Sequence, residues 1–139
     1  MYLLDTNIVS ELRPSRSHRP HAQVAAWAAS VTDEQLFLSV IVLLELQIGV
    51  LRKERTDPEQ AGVLRRWLEQ QVLPTFVAHI LPVDTEVALR CAALMVPDPR
   101  SYRDALIAAT ALVHGLTVVT RNVRDFQATG VRILNPWQD

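Results

Sequence analysis

The residues MYLLDTN at positions 1–7 decide the fold class of this chain. Tyr2 to Leu4 form a short apolar run that ends abruptly at Asp5, and Thr6 and Asn7 follow. A short run that is apolar on both faces and closed by a helix-capping residue is typical of a strand in a covered parallel sheet. The opening residues therefore predict a buried strand that leads directly into a turn or helix.

The same pattern recurs along the rest of the chain. Further short apolar runs, each followed by a capping residue, are Leu36 to Leu38, Ile80 to Val83, Leu116 to Val119 and Val131 to Leu134. Stretches with helical spacing lie between them: Val24 to Val31, Val40 to Leu51, Glu59 to His79, Thr85 to Val96 and Asp104 to His114. This alternation predicts an α/β fold with a mostly parallel sheet of four to five strands.

Length and composition narrow the class of protein. A chain of 139 residues predicts one domain over positions 1–139, and 49% hydrophobic residues exclude a disordered protein. A net charge of -1 excludes a broadly basic nucleic-acid binder. We find neither a membrane-spanning segment nor a signal peptide, and the lone Cys91 excludes an internal disulfide. We therefore expect a cytoplasmic protein with no membrane partner.

Acidic residues stand in otherwise apolar surroundings, where a carboxylate is costly unless a cation meets it. Asp5 follows the first strand, and ligands of open α/β sheets bind beyond the carboxyl ends of strands. A helix cap for the segment that starts at Thr6 would explain Asp5 equally well. Glu45 lies in an apolar helix with no basic residue one turn away on either side. It must pair elsewhere, bind a metal or take up a proton, and we favour a functional role.

Two further positions complete the candidate site. Asp104 follows Ser101 by three residues, which is the spacing of a helix capping box, and a surface cap alone would explain it. A capping carboxylate can also bind a metal through its other oxygen. After the fourth strand, Asn122 and Asp125 are both candidates for the fourth residue of the site, beside Asp5, Glu45 and Asp104. We call this position the fourth corner. Either residue can instead cap a short helix. The hydroxyl of Thr120 can orient a carboxylate.

A site of carboxylates without His or Cys ligands suits Mg²⁺ or Mn²⁺. Such ions polarise phosphate oxygens and activate water, so the pattern predicts a hydrolase of phosphodiesters or other phosphorylated molecules. One alternative is a phosphatase with Asp5 as nucleophile, although Asn7 stands where that class normally has a second Asp. The other is a non-catalytic binding or regulatory module whose acids only cap helices. We interpret Arg103, Arg121 and Arg124 as solvated helix ends, with phosphate contacts as the alternative.

Four motifs in this order resemble those of PIN-domain ribonucleases, and more narrowly of VapC-type toxins and their FitB-like subgroup. They are Leu4-Asp5-Thr6-Asn7-Ile8, Glu45-Leu46-x-x-Gly49, Asp104-Ala105-x-Ile107-Ala108-Ala109 and Thr120-Arg121-Asn122-x-x-Asp125-Phe126. No single motif is specific, but the ordered set at these spacings is. The resemblance runs almost from end to end.

The resemblance implies a three-layer α/β/α sandwich and Mg²⁺- or Mn²⁺-dependent cleavage of RNA by the toxin of a type II toxin–antitoxin pair. The family's acids map onto Asp5, Glu45 and Asp104 as metal ligands, with the fourth corner at Asn122 or Asp125. The fourth acid of many relatives falls on Asn122 here, so the chain departs from the pattern at that corner. The supporting residues of the site are expected to be Thr6, Asn7 and Thr120.

The resemblance also implies partners. The usual partner is an antitoxin of the ribbon-helix-helix type or a similar DNA-binding protein, and the complex binds operator DNA. Family members are commonly dimers. The apolar positions of the predicted helix from Glu59 to His79 are candidates for burial against a second copy or against a partner.

Overall fold

The computed structural model describes residues 1–15 and 17–138. Its strands, in chain order, are β1 (Tyr2–Leu4), β2 (Leu36–Ser39), β3 (Ile80–Leu81), β4 (Thr117–Val119) and β5 (Ile133–Leu134). Its α-helices are α1 (Thr6–Glu11), α2 (Ala22–Ala29), α3 (Val40–Glu54), α4 (Pro58–Trp67), α5 (Leu73–Phe76), α6 (Thr85–Leu94) and α7 (Tyr102–His114). A π-helical turn (Leu68–Val72) joins α4 to α5, and 3₁₀ turns cover Asp33–Gln35, Val123–Asp125 and Gln127–Thr129.

The strands of the described residues form one five-stranded sheet in the order β3-β2-β1-β4-β5. All four pairings are parallel, which confirms the predicted α/β class. The third and fifth strands are shorter than predicted, because Pro82 and Val83 lie beyond β3 and Val131 lies before β5.

The strand order creates a switch point between β1 and β4. The chain steps from β1 outward to β2 and β3, and then crosses back to β4 and continues outward to β5. Since parallel crossovers are right-handed, the reversal puts α1 to α5 on one face of the sheet and α6 and α7 on the other. This is the expected three-layer sandwich. Ligands of such sheets bind at the carboxyl ends of the two strands that flank the switch point.

The helices begin and end where local sequence favours it. Ser39 caps α3 through its hydroxyl, which accepts a hydrogen bond from the backbone N–H of Ile41 at 3.0 Å. Gly115 ends α7 in the left-handed conformation with φ 68°, which glycine adopts without steric cost. The predicted helix from Glu59 to His79 is interrupted by the π-helical turn and ends at Phe76.

The main core lies around the sheet and the helices packed on it. Leu3, Leu38, Val118 and Ile107 are all fully buried in one hydrophobic cluster. The apolar stripe of the π-helical turn and α5, with Val72 and Phe76, joins the same cluster. Most of the stripe that we considered for a second copy is therefore used inside this chain. Among the described residues, no helix combines the length and apolar character needed to cross a membrane.

Candidate active site

Asp5 lies at the carboxyl end of β1, beside the switch point, and its side chain is completely buried. One carboxylate oxygen, Oδ1, accepts a hydrogen bond from the backbone N–H of Thr6 at 2.7 Å and another from Nη2 of Arg103. The other oxygen, Oδ2, accepts one from the hydroxyl of Thr120 at 2.7 Å. Asp5 thus begins α1 as a cap, but two of its three bonds come from distant parts of the chain.

Glu45 projects from α3 towards the same point. Its Oε1 accepts a hydrogen bond from the hydroxyl of Thr6 at 2.6 Å, and its Oε2 accepts one from Nε of Arg103 at 2.6 Å. Of the three outcomes that the sequence left open for Glu45, pairing elsewhere, metal binding and protonation, this structure shows pairing with Arg103 from another helix. Thr6 and Arg103 therefore fix both oxygens of a half-buried carboxylate.

Asp104 reaches the site from the first turn of α7. Ser101 caps this helix, because its hydroxyl accepts a hydrogen bond from the backbone N–H of Asp104 at 3.0 Å. The side chain of Asp104 turns inward, where its Oδ1 accepts a bond from Nη1 of Arg103 at 2.8 Å. The partial positive charge at the helix N-terminus favours an anion at this position. Asp104 thus combines the predicted place in a helix cap with a place in the acidic cluster.

Arg103 is the residue that sequence reasoning missed. We interpreted it as a solvated helix end, and that interpretation is wrong: it contacts Asp5, Glu45 and Asp104 at once, and its side chain is only 30% exposed. A search for basic partners one turn from Glu45 cannot find it, since it is 58 residues away in sequence. The available signal was an arginine next to an acid at the start of an otherwise apolar helix.

These contacts change the ionisation of the site. Burial by itself would raise the pKa of Glu45, but the hydrogen bonds from Arg103 and Thr6 and the charge of Arg103 bring it below its ordinary value. Burial by itself would lower the pKa of Arg103, but its bonds to Glu45, Asp5 and Asp104 and the charge of Asp5 raise it. Glu45 and Arg103 are therefore both ionised at neutral pH. The cluster contains three acidic side chains and one guanidinium.

Thr120 and Asn7 support Asp5 across the switch point. Thr120 is completely buried at the end of β4, and its oxygen accepts hydrogen bonds from Nδ2 of Asn7 at 3.3 Å and from the backbone N–H of Asn122 at 3.0 Å. Asn7 in turn accepts a bond through Oδ1 from the backbone N–H of Arg121 at 3.3 Å. The expected role of Thr120 in orienting a carboxylate matches this geometry.

The two candidates for the fourth corner, Asn122 and Asp125, differ in their contacts with the network. Asn122 is exposed, and its backbone joins it to the network through Thr120. Asp125 is exposed in the 3₁₀ turn that follows, and within the described residues no hydrogen bond joins its side chain to the acidic cluster. Asn122 precedes this turn, but its side chain makes no capping bond there. Capping therefore does not explain Asn122.

The other two candidate arginines lie at the surface. Arg124 is exposed in the 3₁₀ turn, as expected for a solvated position. Arg121 is also exposed at the carboxyl end of β4, and its guanidinium lies over the ring of Trp137 at 5.3 Å from the ring centre. This contact orients the guanidinium of Arg121 over the ring of Trp137.

The donors of the cluster match a hard divalent cation in chemistry, because carboxylate oxygens are the ligands that Mg²⁺ and Mn²⁺ prefer. Their present arrangement is closed. Across residues 1–15 and 17–138, no three Asp, Glu, His or Cys side chains are placed to share one ion. The three carboxylates instead face the guanidinium of Arg103. Asp5, Glu45 and Asp104 thus supply oxygens of the type that such an ion prefers, and Arg103 contacts one oxygen of each.

Comparisons with known proteins show the family of this chain. Residues 2–131 match the PIN domain family. The chain is 41% identical to the toxin FitB of Neisseria gonorrhoeae and 36% identical to the VapC ribonuclease Y4jK of Sinorhizobium fredii. These matches cover 100% of both chains for FitB and 99% of both for Y4jK. The structure of FitAB bound to an IR36 DNA fragment superposes with a TM-score of 0.88 at 37% identity, over 100% of this chain and 97% of that one.

The match thus extends over nearly the whole chain, in sequence as well as in fold, and it includes every residue of the acidic cluster. The chain belongs to the PIN domain family, in the group that contains the FitB and VapC toxins.

Proposed function

We propose that this chain is a metal-dependent endoribonuclease that acts at the cluster of Asp5, Glu45 and Asp104 as the toxin of a type II toxin–antitoxin pair. One observation carries the proposal. Carboxylates from β1, α3 and α7, which are far apart in sequence, converge at the carboxyl edge of the sheet beside its switch point. The description of the relative Y4jK as a VapC ribonuclease supports RNA as the substrate.

Asp5, Glu45 and Asp104 would hold Mg²⁺ or Mn²⁺ in this proposal. When bound, the ion supplies charge stabilisation for the phosphate and a lowered pKa for water. The chain's own residues set the geometry. Thr120 and the backbone N–H of Thr6 hold Asp5 rigidly at the end of β1.

Glu45 is suited to position the attacking water. Its pKa is below the ordinary value despite burial, because Arg103 and Thr6 donate hydrogen bonds to it, so it is an ionised acceptor at neutral pH. Thr6 holds one of its oxygens at 2.6 Å, which directs the other into the cluster. Once Arg103 has left this second oxygen, a water that donates to it would be held in one orientation for in-line attack on phosphorus.

For the fourth corner we favour Asn122 over Asp125. Asn122 is coupled through its N–H to Thr120, which itself donates to Asp5, so its position follows that of the cluster. An amide can hold a water molecule by donating or accepting a hydrogen bond. The prediction is that Asn122→Ala lowers cleavage more than Asp125→Asn does. Equal effects, or a larger effect of Asp125→Asn, would reassign the corner to Asp125.

The direct test is cleavage of a structured RNA in the presence of Mg²⁺ or Mn²⁺. Asp5→Asn and Asp104→Asn are expected to lose cleavage by about 100-fold or more, since each removes a charge from the site at which transition-state charge develops. Asp84→Asn is the matched control. Its carboxylate caps α6 by accepting from the backbone N–H of Val87 at 3.0 Å, outside the cluster. Full activity of Asp5→Asn or Asp104→Asn would refute the proposal.

The same experiments separate the alternatives. A phosphatase with Asp5 as nucleophile would form an acid-labile phospho-enzyme, and Asn7, at the position of the usual second acid, here binds Thr120 and Arg121 instead. A non-catalytic module would gain no thermal stability from millimolar Mg²⁺ or Mn²⁺. Asp5 makes more contacts than a helix cap requires, which argues against that module.

We further propose a cognate antitoxin of the ribbon-helix-helix or a similar DNA-binding type, and action in the cytoplasm as part of a complex on operator DNA. The DNA-bound FitAB structure supports this partner class. We also propose a homodimer, since Leu89, Val96 and Tyr102 expose large apolar side chains around α6 and α7. Co-purification with the product of the neighbouring gene tests the antitoxin, and light scattering tests the dimer. A chain that stays monomeric at micromolar concentration would refute the dimer.

A further inference from the structure

The guanidinium of Arg103, which belongs to the same chain, binds all three carboxylates of the acidic cluster. Nε donates to Glu45 Oε2 at 2.6 Å, Nη1 donates to Asp104 Oδ1 at 2.8 Å, and Nη2 donates to Asp5 Oδ1. Each of the three nitrogens therefore serves a different carboxylate. Hydrogen bonds between ionised partners are about twice as strong as neutral ones, so this is a strongly held cation.

Two of the other three carboxylate oxygens of the cluster are also engaged. Asp5 Oδ2 accepts from the hydroxyl of Thr120, and Glu45 Oε1 accepts from the hydroxyl of Thr6. Arg103 contacts one oxygen of each acid, so a divalent cation that binds all three acids competes with its guanidinium for the same carboxylates. The two cations would also repel each other at such short range in a partly buried site. Binding of the ion and the present position of Arg103 are thus opposed.

Arg103 has room to leave. It is the second residue of α7, its side chain is partly exposed, and its neighbours Ser101 and Tyr102 lie at the surface. An arginine side chain has several rotatable bonds and can turn from the cluster to solvent without a change in the helix.

We propose that Arg103 is an internal counter-ion that closes the acidic cluster in the metal-free protein and is displaced when a divalent cation binds. The inference rests on the function proposed above, because it assigns the ion to the same three acids. Arg103 then sets the metal affinity of the site, since every binding event must break its three contacts. It also keeps the metal-free protein folded by neutralising part of a cluster of like charges.

The first test measures Mn²⁺ binding to the intact protein without RNA, from the loss of the six-line EPR signal of free Mn²⁺. Arg103→Gln is expected to bind Mn²⁺ about tenfold more tightly or better, as the low end of the coupling between close charges implies. Arg90→Gln removes the same charge from an exposed position on α6 and is expected to match the wild type. Adding Asp104→Asn to Arg103→Gln should abolish the gain, which would assign it to this cluster.

A second measurement does not depend on the folding of the variant. In the wild type, Mg²⁺ should shift or broaden the NMR signal of the Arg103 Nε–H group, because its bond to Glu45 is lost. An unchanged signal at saturating Mg²⁺ would overturn the inference, and so would Mn²⁺ binding by Arg103→Gln that is equal to or weaker than that of the wild type. If both proteins bind Mn²⁺ equally, only the role of Arg103 fails. If neither binds Mn²⁺, the proposed metal-dependent function fails with it.

Discussion

Replacement of Thr120 by valine tests whether the switch point is held together through Asp5. Thr120 and Asp5 are both completely buried, and the hydroxyl donates to Asp5 Oδ2 at 2.7 Å. Valine has nearly the same shape but no hydroxyl. The substitution therefore leaves one oxygen of a buried carboxylate without its donor and changes little else in the packing.

The expected loss of stability follows from these contacts. A hydrogen bond to a charged group contributes about 1.5–3 kcal/mol to stability. A buried charged group that is left without its partner costs more free energy than a buried neutral group does. The backbone N–H of Asn122 and Nδ2 of Asn7 also lose their acceptor, but neither residue is fully buried and water can replace the lost oxygen. We therefore expect Thr120→Val to lower the free energy of unfolding by about 3 kcal/mol.

Two controls isolate the charged bond in urea unfolding at neutral pH. Thr129 is also buried, but its hydroxyl donates to the neutral carbonyl of Phe126 at 2.6 Å and accepts from the backbone N–H of Val131 at 3.3 Å, so Thr129→Val loses two neutral hydrogen bonds and should cost about 2 kcal/mol. Thr120→Ser keeps the hydroxyl and loses one methyl group, which also costs about 1 kcal/mol. The reasoning is refuted if Thr120→Val costs no more than either control.

Two further predictions concern titratable side chains. The pKa of Glu45 is lowered in the folded protein, so the stability it contributes is present above the ordinary value of 4.5 and is lost as the pH falls through the lower folded value. Thr6→Val removes one of the bonds that lower this pKa. The free energy of unfolding of the variant should therefore fall less than that of the wild type between pH 6 and a pH below 4, as measured by urea unfolding at both pH values. Equal losses in the two proteins would contradict this. Cys91 is 5% exposed in a second hydrophobic cluster, and burial raises the pKa of its thiol. The thiol should therefore react with a thiol reagent at pH 8 at least about tenfold more slowly in the folded protein than in urea. Equal rates in the two states would show that this cluster opens freely.

Local sequence patterns predicted most of the strands and helices, because the interactions that favour each element lie within a few residues of it. The apolar run before Asp5 marks a buried strand wherever its neighbours are, and Gly115 marks the end of α7 because of its own backbone conformation. The limits of β3 and β5 were less well predicted. Pairing with a neighbouring strand decides where such short strands end, and the neighbour is not visible in the local sequence.

The candidate site divides in the same way. Glu45 could be recognised from sequence because a carboxylate in an apolar helix has no local partner, and this reasoning requires no knowledge of the fold. Which partner it finds was not predictable. Arg103 lies on another helix, and its own surroundings in sequence look like an ordinary helix start.

The sequence by itself therefore determined the α/β class, the approximate places of the strands and of most helices along the chain, and the acids that are costly to bury without a partner. These properties follow from periodicity, capping and the cost of desolvating a charge, which act over one or two turns of chain. Only the tertiary structure decided that Arg103 stands among Asp5, Glu45 and Asp104, and that Thr120 rather than Asp125 contacts Asp5. The reversal of strand order at β1 and β4 brings these residues together. Their positions in the sequence do not show that they are close, because they are far apart along the chain.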